Sequence, residues 1–242
     1  MAGHSKWKNI LHKKEKTDAQ RAKLFTKLSR EIIVCVREGG PDPAANPRLK
    51  DVIAKARAGN VPSDNIKRVI ERASGAGGGD NYETVRYEGY GPCGVAVIVE
   101  AMTDNRTRTA ANVRHIFDKY GGNLGATGCV SWSFQPKGVI VIAREDADED
   151  ALLESALEAG ASDFLAEDEV FEVYTEPDAF SAVREALEGK GYTFLQAEVE
   201  QVPDNYAAIT GEEDQKRMQK LLDMMEDDDD VQNVWHNWED NR

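Results

Sequence analysis

The sequence predicts an α+β protein that opens with basic helices and continues in alternating strands and helices. Three observations predict it. Residues up to Ser74 carry apolar side chains at helical spacing, punctuated by Gly and Pro. The stretch Gly75–Asp80, GAGGGD, then breaks the pattern as a flexible linker. Beyond it, β-rich runs such as VAVIVEAM and GVIVIA alternate with helical ones.

In the first helix, Thr17 and Gln20 form a capping box, and Ala22, Phe25, Leu28, Ile32 and Val36 share one face. Gly39-Gly40 before Pro41 ends the run. Lys23, Lys27, Arg30 and Arg37 fall in a stripe on the opposite face, interrupted by Val34, so the helix is expected to pack on its neighbours and show a cationic ridge outward. Ahead of it, Lys6, Lys8, Lys13, Lys14 and Lys16 are interleaved with His4, Trp7 and His12, and Arg21 opens the helix. Such an arm suits phosphate contacts, with Trp7 either stacking on an unpaired base or pinning the arm to the helices.

Asn46-Pro47 starts a second helix, Arg48–Ala58, and Ser63 is expected to cap a third, Asp64–Ala73. These add Lys50, Lys55, Arg57, Lys67, Arg68 and Arg72 to the positive surface, and the first domain ends near residue 76. No helix offers an obvious base-reading face, so backbone and shape contacts are better supported than sequence readout.

After the linker, TVRYE, the turn GYGPCG and the buried run VAVIVEAM lead to a helix capped within Thr103–Asn105 and running to about Tyr120. Arg106 and Arg108 near its start oppose the helix dipole, so they either answer acidic neighbours in the fold or face an external anion. GGNLGATG follows a helix, and no Lys-Ser/Thr pair succeeds Gly128; a phosphate loop needs a preceding strand, so no nucleotide cofactor is expected. CVSWSF is expected to resume as a strand. The order GVIVIA, DEDALLESALEAGA, DFLAE, VFEVYTE, DAFSAVREALEGKG, YTFLQAEVEQVP is then β-α-β-β-α-β, the ferredoxin-like succession. Thr210–Met225 reads as an amphipathic helix, followed by the acidic run Glu226–Asp230, read as a solvated turn rather than a metal site, and VQNVWHNWE.

The chain of 242 residues has a formal charge of −14, but the charge is polarised. Residues 1–72 hold 17 Lys and Arg against 8 Asp and Glu, whereas residues 143–242 hold 7 against 30. A basic block joined to an acidic one points to a polyanion-binding end and an end that repels the same polyanion. No stretch reaches the roughly 20 apolar residues of a membrane span, and no apolar core follows the basic start, so a cytoplasmic protein without a membrane partner is expected. Cys35, Cys93 and Cys129 are too few and too scattered for a disulfide framework. No hydrolase, redox or zincin motif occurs, and Cys93 in GPCG is the one loop thiol to weigh as a nucleophile; a non-enzymatic protein is expected.

AGHSKW, RAKLFTKLSREI, NPRL, YEGYGP, DNRTRT, GGNLG and DDVQNV, in that order, resemble the YebC/PmpR family, relatives of the mitochondrial translational activator of cytochrome c oxidase. The resemblance implies three domains: a helical one (residues 1–76), a middle α+β one (80–135 plus 206–242) and a ferredoxin-like one inserted into it (136–205). It implies a non-enzymatic, nucleic-acid-binding regulator of gene expression, either a DNA-binding transcriptional regulator or a ribosome-associated translation factor that helps difficult, proline-rich stretches. It also makes VQNVWHNW a candidate partner for the middle sheet.

Overall fold

The computed structural model describes residues 18–75 and 81–239, with side chains from residue 22 onward. In chain order the elements are α1 (Asp18–Gly39), α2 (Pro47–Ala58), α3 (Ser63–Ser74), β1 (Glu83–Tyr90), β2 (Ala96–Thr103), α4 (Arg106–Lys119), β3 (Asn123–Leu124) and β4 (Phe134–Ala143). Then come α5 (Glu149–Ala159), β5 (Asp163–Ala166), β6 (Val170–Thr175), α6 (Phe180–Gly189), β7 (Gln196–Pro203), β8 (Ala207–Ala208), α7 (Glu212–Asp227) and β9 (Val231–His236). The fold is α+β with a helical N-terminal part, and it divides into two compact units. One joins Thr17–Ser133 to Asn205–Trp238; Phe134–Asp204 makes the body of the other.

In the first unit α1, α2 and α3 enclose a core of Leu28, Ile32, Leu49, Val52, Ile66 and Val69. The α1–α2 turn is tied by one buried side chain. Asn46 caps α2 by accepting the Leu49 N–H (3.1 Å), while its amide donates to the Cys35 and Gly40 carbonyls (2.8 and 2.9 Å). α3 begins one residue earlier than its sequence suggests: Ser63 is its first residue, Pro62 stands at the cap, and no side chain closes the end.

The same unit holds a four-stranded sheet in the order β3-β1-β2-β9. β9, from the C-terminal segment, pairs antiparallel with β2 (Val97 opposite His236, Val99 opposite Val234), so the VQNVWHNW segment does complete this sheet. α4 and α7 cover it through Val113, Phe117, Met218, Leu221 and Met225, which pack on Val97 and Val99.

The second unit is β4-α5-β5-β6-α6-β7, with its strands antiparallel in the order β5-β6-β4-β7. This is the split β-α-β arrangement expected from the succession of elements. Ile140, Ile142, Phe171, Leu152, Val183 and Leu187 fill the space between sheet and helices.

One expected strand is not there. CVSWSF forms a tight turn with a 3-10 segment at Ser131–Ser133, and β4 starts only at Phe134. The reason is a long-range contact: a carboxylate takes the Val130 and Ser131 amides that a strand ladder would need, as described below.

Candidate nucleic-acid interface

Lys6, Trp7, Lys8, His12, Lys13, Lys14 and Lys16 lie outside the described residues, as does the side chain of Arg21. For the rest of the expected contact surface the geometry is on view, and it corrects the reading of α1 as an outward ridge. Lys23 donates to the carbonyl (3.3 Å) and carboxylate of Asp227, and Lys27 to the Glu226 carbonyl (2.7 Å). Glu226 and Asp227 are the last residues of α7, whose final carbonyls lack partners within the helix and carry its negative dipole end. Two lysines of one helix therefore cap the C-terminus of another.

One turn further along α1, Arg30 donates to the Met102 and Asp229 carbonyls and to Asp230 Oδ1 at 2.8 Å. Its side chain is 14% exposed and that of Asp230 6%. The guanidinium also lies 5.0 Å from the centre of the Tyr82 ring. Arg37 donates to Asn81 Oδ1 (2.7 Å) and the Tyr82 carbonyl (3.4 Å). Val34, in the middle of the stripe, is buried at 5% exposure, as a covered face requires. An apolar residue within a cationic stripe was the signal in the sequence that this face has a partner.

Asp230 is the hub of this contact. Besides Arg30 it accepts from Arg108 (2.8 Å) and from the buried Thr109 hydroxyl (2.7 Å) at Oδ2. Burial alone would raise its pKa, but the hydrogen bonds from Arg108, Thr109 and Arg30 outweigh that and hold the carboxyl below its ordinary value. Arg108 also pairs with Asp104 at 2.9 Å, and Arg106 with Glu83 at 3.5 Å. Both arginines of DNRTRT thus answer acidic neighbours in the fold. The run Glu226–Asp230 is an internal counterpart of α1, and among the described residues no group of three or more His, Cys, Asp or Glu side chains gathers as a metal site.

Arg57 near the end of α2 and Lys67, Arg68 and Arg72 on α3 are exposed, and no carboxylate of the described residues pairs with them. Arg68 donates to Asn65 Oδ1 at 2.9 Å. At about 100° per residue, Asn65, Arg68 and Arg72 form a narrow stripe beside the buried face of Ile66 and Val69, and Asp64 and Glu71 lie beyond it on the side opposite that face.

The glycine-rich segment after α4 forms a pinned loop. Glu88, 3% exposed on β1, accepts the Val130 and Ser131 N–H groups at Oε2 (3.0 and 2.9 Å). Burial opposes its ionisation, yet the amides of Val130, Gly128 and Ser131 prevail and keep the carboxyl below its ordinary value. The Cys129 carbonyl accepts from the Tyr90 hydroxyl (3.0 Å) and from the Trp132 indole (2.9 Å). Trp132 itself is 74% exposed. Sequence reading missed Glu88 and Trp132 because both sat in presumed strands.

The thiols show no sign of activation. Cys35 is buried, and burial pushes it up to about 12. Cys93 lies in a turn with φ of +56° and donates to Asp214 at 3.6 Å; desolvation and that carboxylate raise its pKa, opposite to an activated nucleophile. Among the described residues no helix is long and apolar enough to cross a membrane.

These features define a mixed helix-and-sheet protein with a basic helical N-terminal part, and comparison with known proteins gives its kin. Residues 5–76 match the TACO1/YebC protein N-terminal domain, and residues 82–238 the TACO1/YebC second and third domain. The chain belongs to the TACO1/YebC family. A probable transcriptional regulatory protein of Caldicellulosiruptor bescii is 60% identical over 240 residues, covering 99% of this chain and 98% of the relative. One of the same description from Acetivibrio thermocellus is 60% identical, over 98% of this chain and 99% of its own. The crystal structure of a conserved hypothetical protein from Aquifex aeolicus is similar, with a TM-score of 0.84 and 48% identity over 93% of this chain and 92% of that one.

Proposed function

We propose that the protein is a non-enzymatic, nucleic-acid-binding regulator of gene expression, working without a cofactor in the cytoplasm, whose contact surface is its basic helical end. The observation that carries this is the set of exposed cations without acidic partners among the described residues, Arg57, Lys67, Arg68 and Arg72, on the helical part of a chain whose net charge is −14. The acidic remainder would repel a polyanion and confine it to that end. The arm residues Lys6, Trp7, Lys8, His12, Lys13, Lys14 and Lys16, with Arg21, extend the surface. Lys23, Lys27, Arg30 and Arg37 support it from behind by fixing α1.

The target is DNA, and the role is regulation of transcription, in keeping with the name that the relatives from C. bescii and A. thermocellus carry. A second reading, a ribosome-associated translation factor bound to rRNA or tRNA, is favoured by Trp132, an exposed ring that paired bases in a duplex would not engage. Ultraviolet crosslinking in cells, followed by sequencing of the bound nucleic acid, separates the two. Promoter DNA supports the first, rRNA or tRNA the second, and recovery of neither contradicts the proposal.

A further inference from the structure

Trp132 is the most exposed large hydrophobic side chain among the described residues, at 74%, yet its loop is held by side-chain hydrogen bonds. Its indole N–H donates to the Cys129 carbonyl (2.9 Å), and that carbonyl also takes the Tyr90 hydroxyl (3.0 Å). The ring's one polar group is therefore spent inward, and what faces solvent is flat and apolar. Beneath it, the buried Glu88 carboxylate gathers the Val130 and Ser131 amides, and Ser133 closes the turn onto the Val130 carbonyl at 2.9 Å. Burying a carboxylate is unfavourable unless its hydrogen bonds are met, and here they are met by the backbone of one loop. The loop's conformational entropy is lost on folding, before any ligand arrives, which is the condition for tight binding to a small surface.

We infer that the Trp132 loop is a base-stacking platform that takes one unpaired nucleobase of a single-stranded nucleic-acid segment. A protein partner would need several hundred Å² of contiguous apolar surface, whereas one indole face suffices for one base. Charge supports the same occupant, since the first unit carries Arg57, Lys67, Arg68 and Arg72, exposed cations that pair with no carboxylate of the described residues and that suit a phosphate backbone. The inference rests on the nucleic-acid reading above and names the part of the ligand that this loop meets.

The test is fluorescence anisotropy of the full chain with a labelled single-stranded oligoadenylate and, separately, a blunt duplex DNA. Trp132→Ala weakens oligoadenylate binding by about tenfold, and Trp132→Phe, which keeps an aromatic face, stays within about threefold. Duplex binding is the same in all three proteins. Because the ring is exposed, unchanged thermal unfolding is expected for both variants. If the unsubstituted protein binds oligoadenylate and Trp132→Ala binds it equally well, or loses oligoadenylate and duplex in parallel, the platform is wrong while the function stands. If the unsubstituted protein binds neither, the nucleic-acid reading fails and the platform with it.

Discussion

Arg30 and Asp230 stand 200 residues apart in sequence and 2.8 Å apart in space, with side chains only 14% and 6% exposed. This pair joins the longest helix of the basic part to the acidic turn before β9. An ion pair this enclosed contributes modestly as a pair, but either member alone is costly. Asp230→Ala leaves the enclosed Arg30 guanidinium without its carboxylate and is expected to cost about 3 kcal/mol, read from urea unfolding. Arg108→Ala, whose side chain is 46% exposed, costs less than about 1 kcal/mol because solvent screens it.

Acid should undo the same contact. The Asp230 and Glu88 carboxyls both lie below their ordinary values when folded, so their contribution is complete above the unfolded carboxylate pKa of about 4 and is lost as pH falls through the lower folded values. Stability measured by denaturant is therefore level from neutrality to about pH 5 with respect to these groups and declines below about pH 4. Asp230→Asn starts lower at neutral pH and declines less steeply in acid.

Glu88→Gln tests the pinned loop. The neutral amide is a weaker acceptor for the Val130 and Ser131 N–H groups, and a loss of about 1–2 kcal/mol follows. Native-state hydrogen exchange should show those two amides losing protection while the Val97 and Val99 amides of β2 keep theirs.

Gly122 should accept no side chain. A Cβ there would meet the Tyr90 carbonyl and stand 3.1 Å from the Gly91 Cα, backbone atoms that cannot turn aside. Gly122→Ala is expected to lose about 2 kcal/mol in urea unfolding, whereas Gly189→Ala, with open space around the added carbon, is neutral or slightly stabilising.

The helices and the β-α-β-β-α-β succession were legible because each rests on local periodicity, and the pairing of the C-terminal strand was implied only by the family resemblance. The missed features are long-range. The stripe of Lys23, Lys27 and Arg30 looks solvent-facing within α1 and becomes an interface only when the Glu226–Asp230 turn is brought to it. Val130 and Ser131 have strand-like neighbours, but a carboxylate 42 and 43 positions away takes their amides. Val34 alone hinted at the first, and nothing local at the second.

The salt dependence of DNA binding tests the central claim most directly. Each phosphate-contacting cation removed lowers the slope of log K against log salt by about 0.9. The variant Arg57→Gln, Lys67→Gln, Arg68→Gln, Arg72→Gln should therefore bind more weakly with a clearly shallower slope, while Lys23→Gln with Lys27→Gln keeps the slope of the unsubstituted protein. Equal slopes for the first variant and the unsubstituted protein, or a slope lost only in the second variant, would contradict a contact surface on α2 and α3.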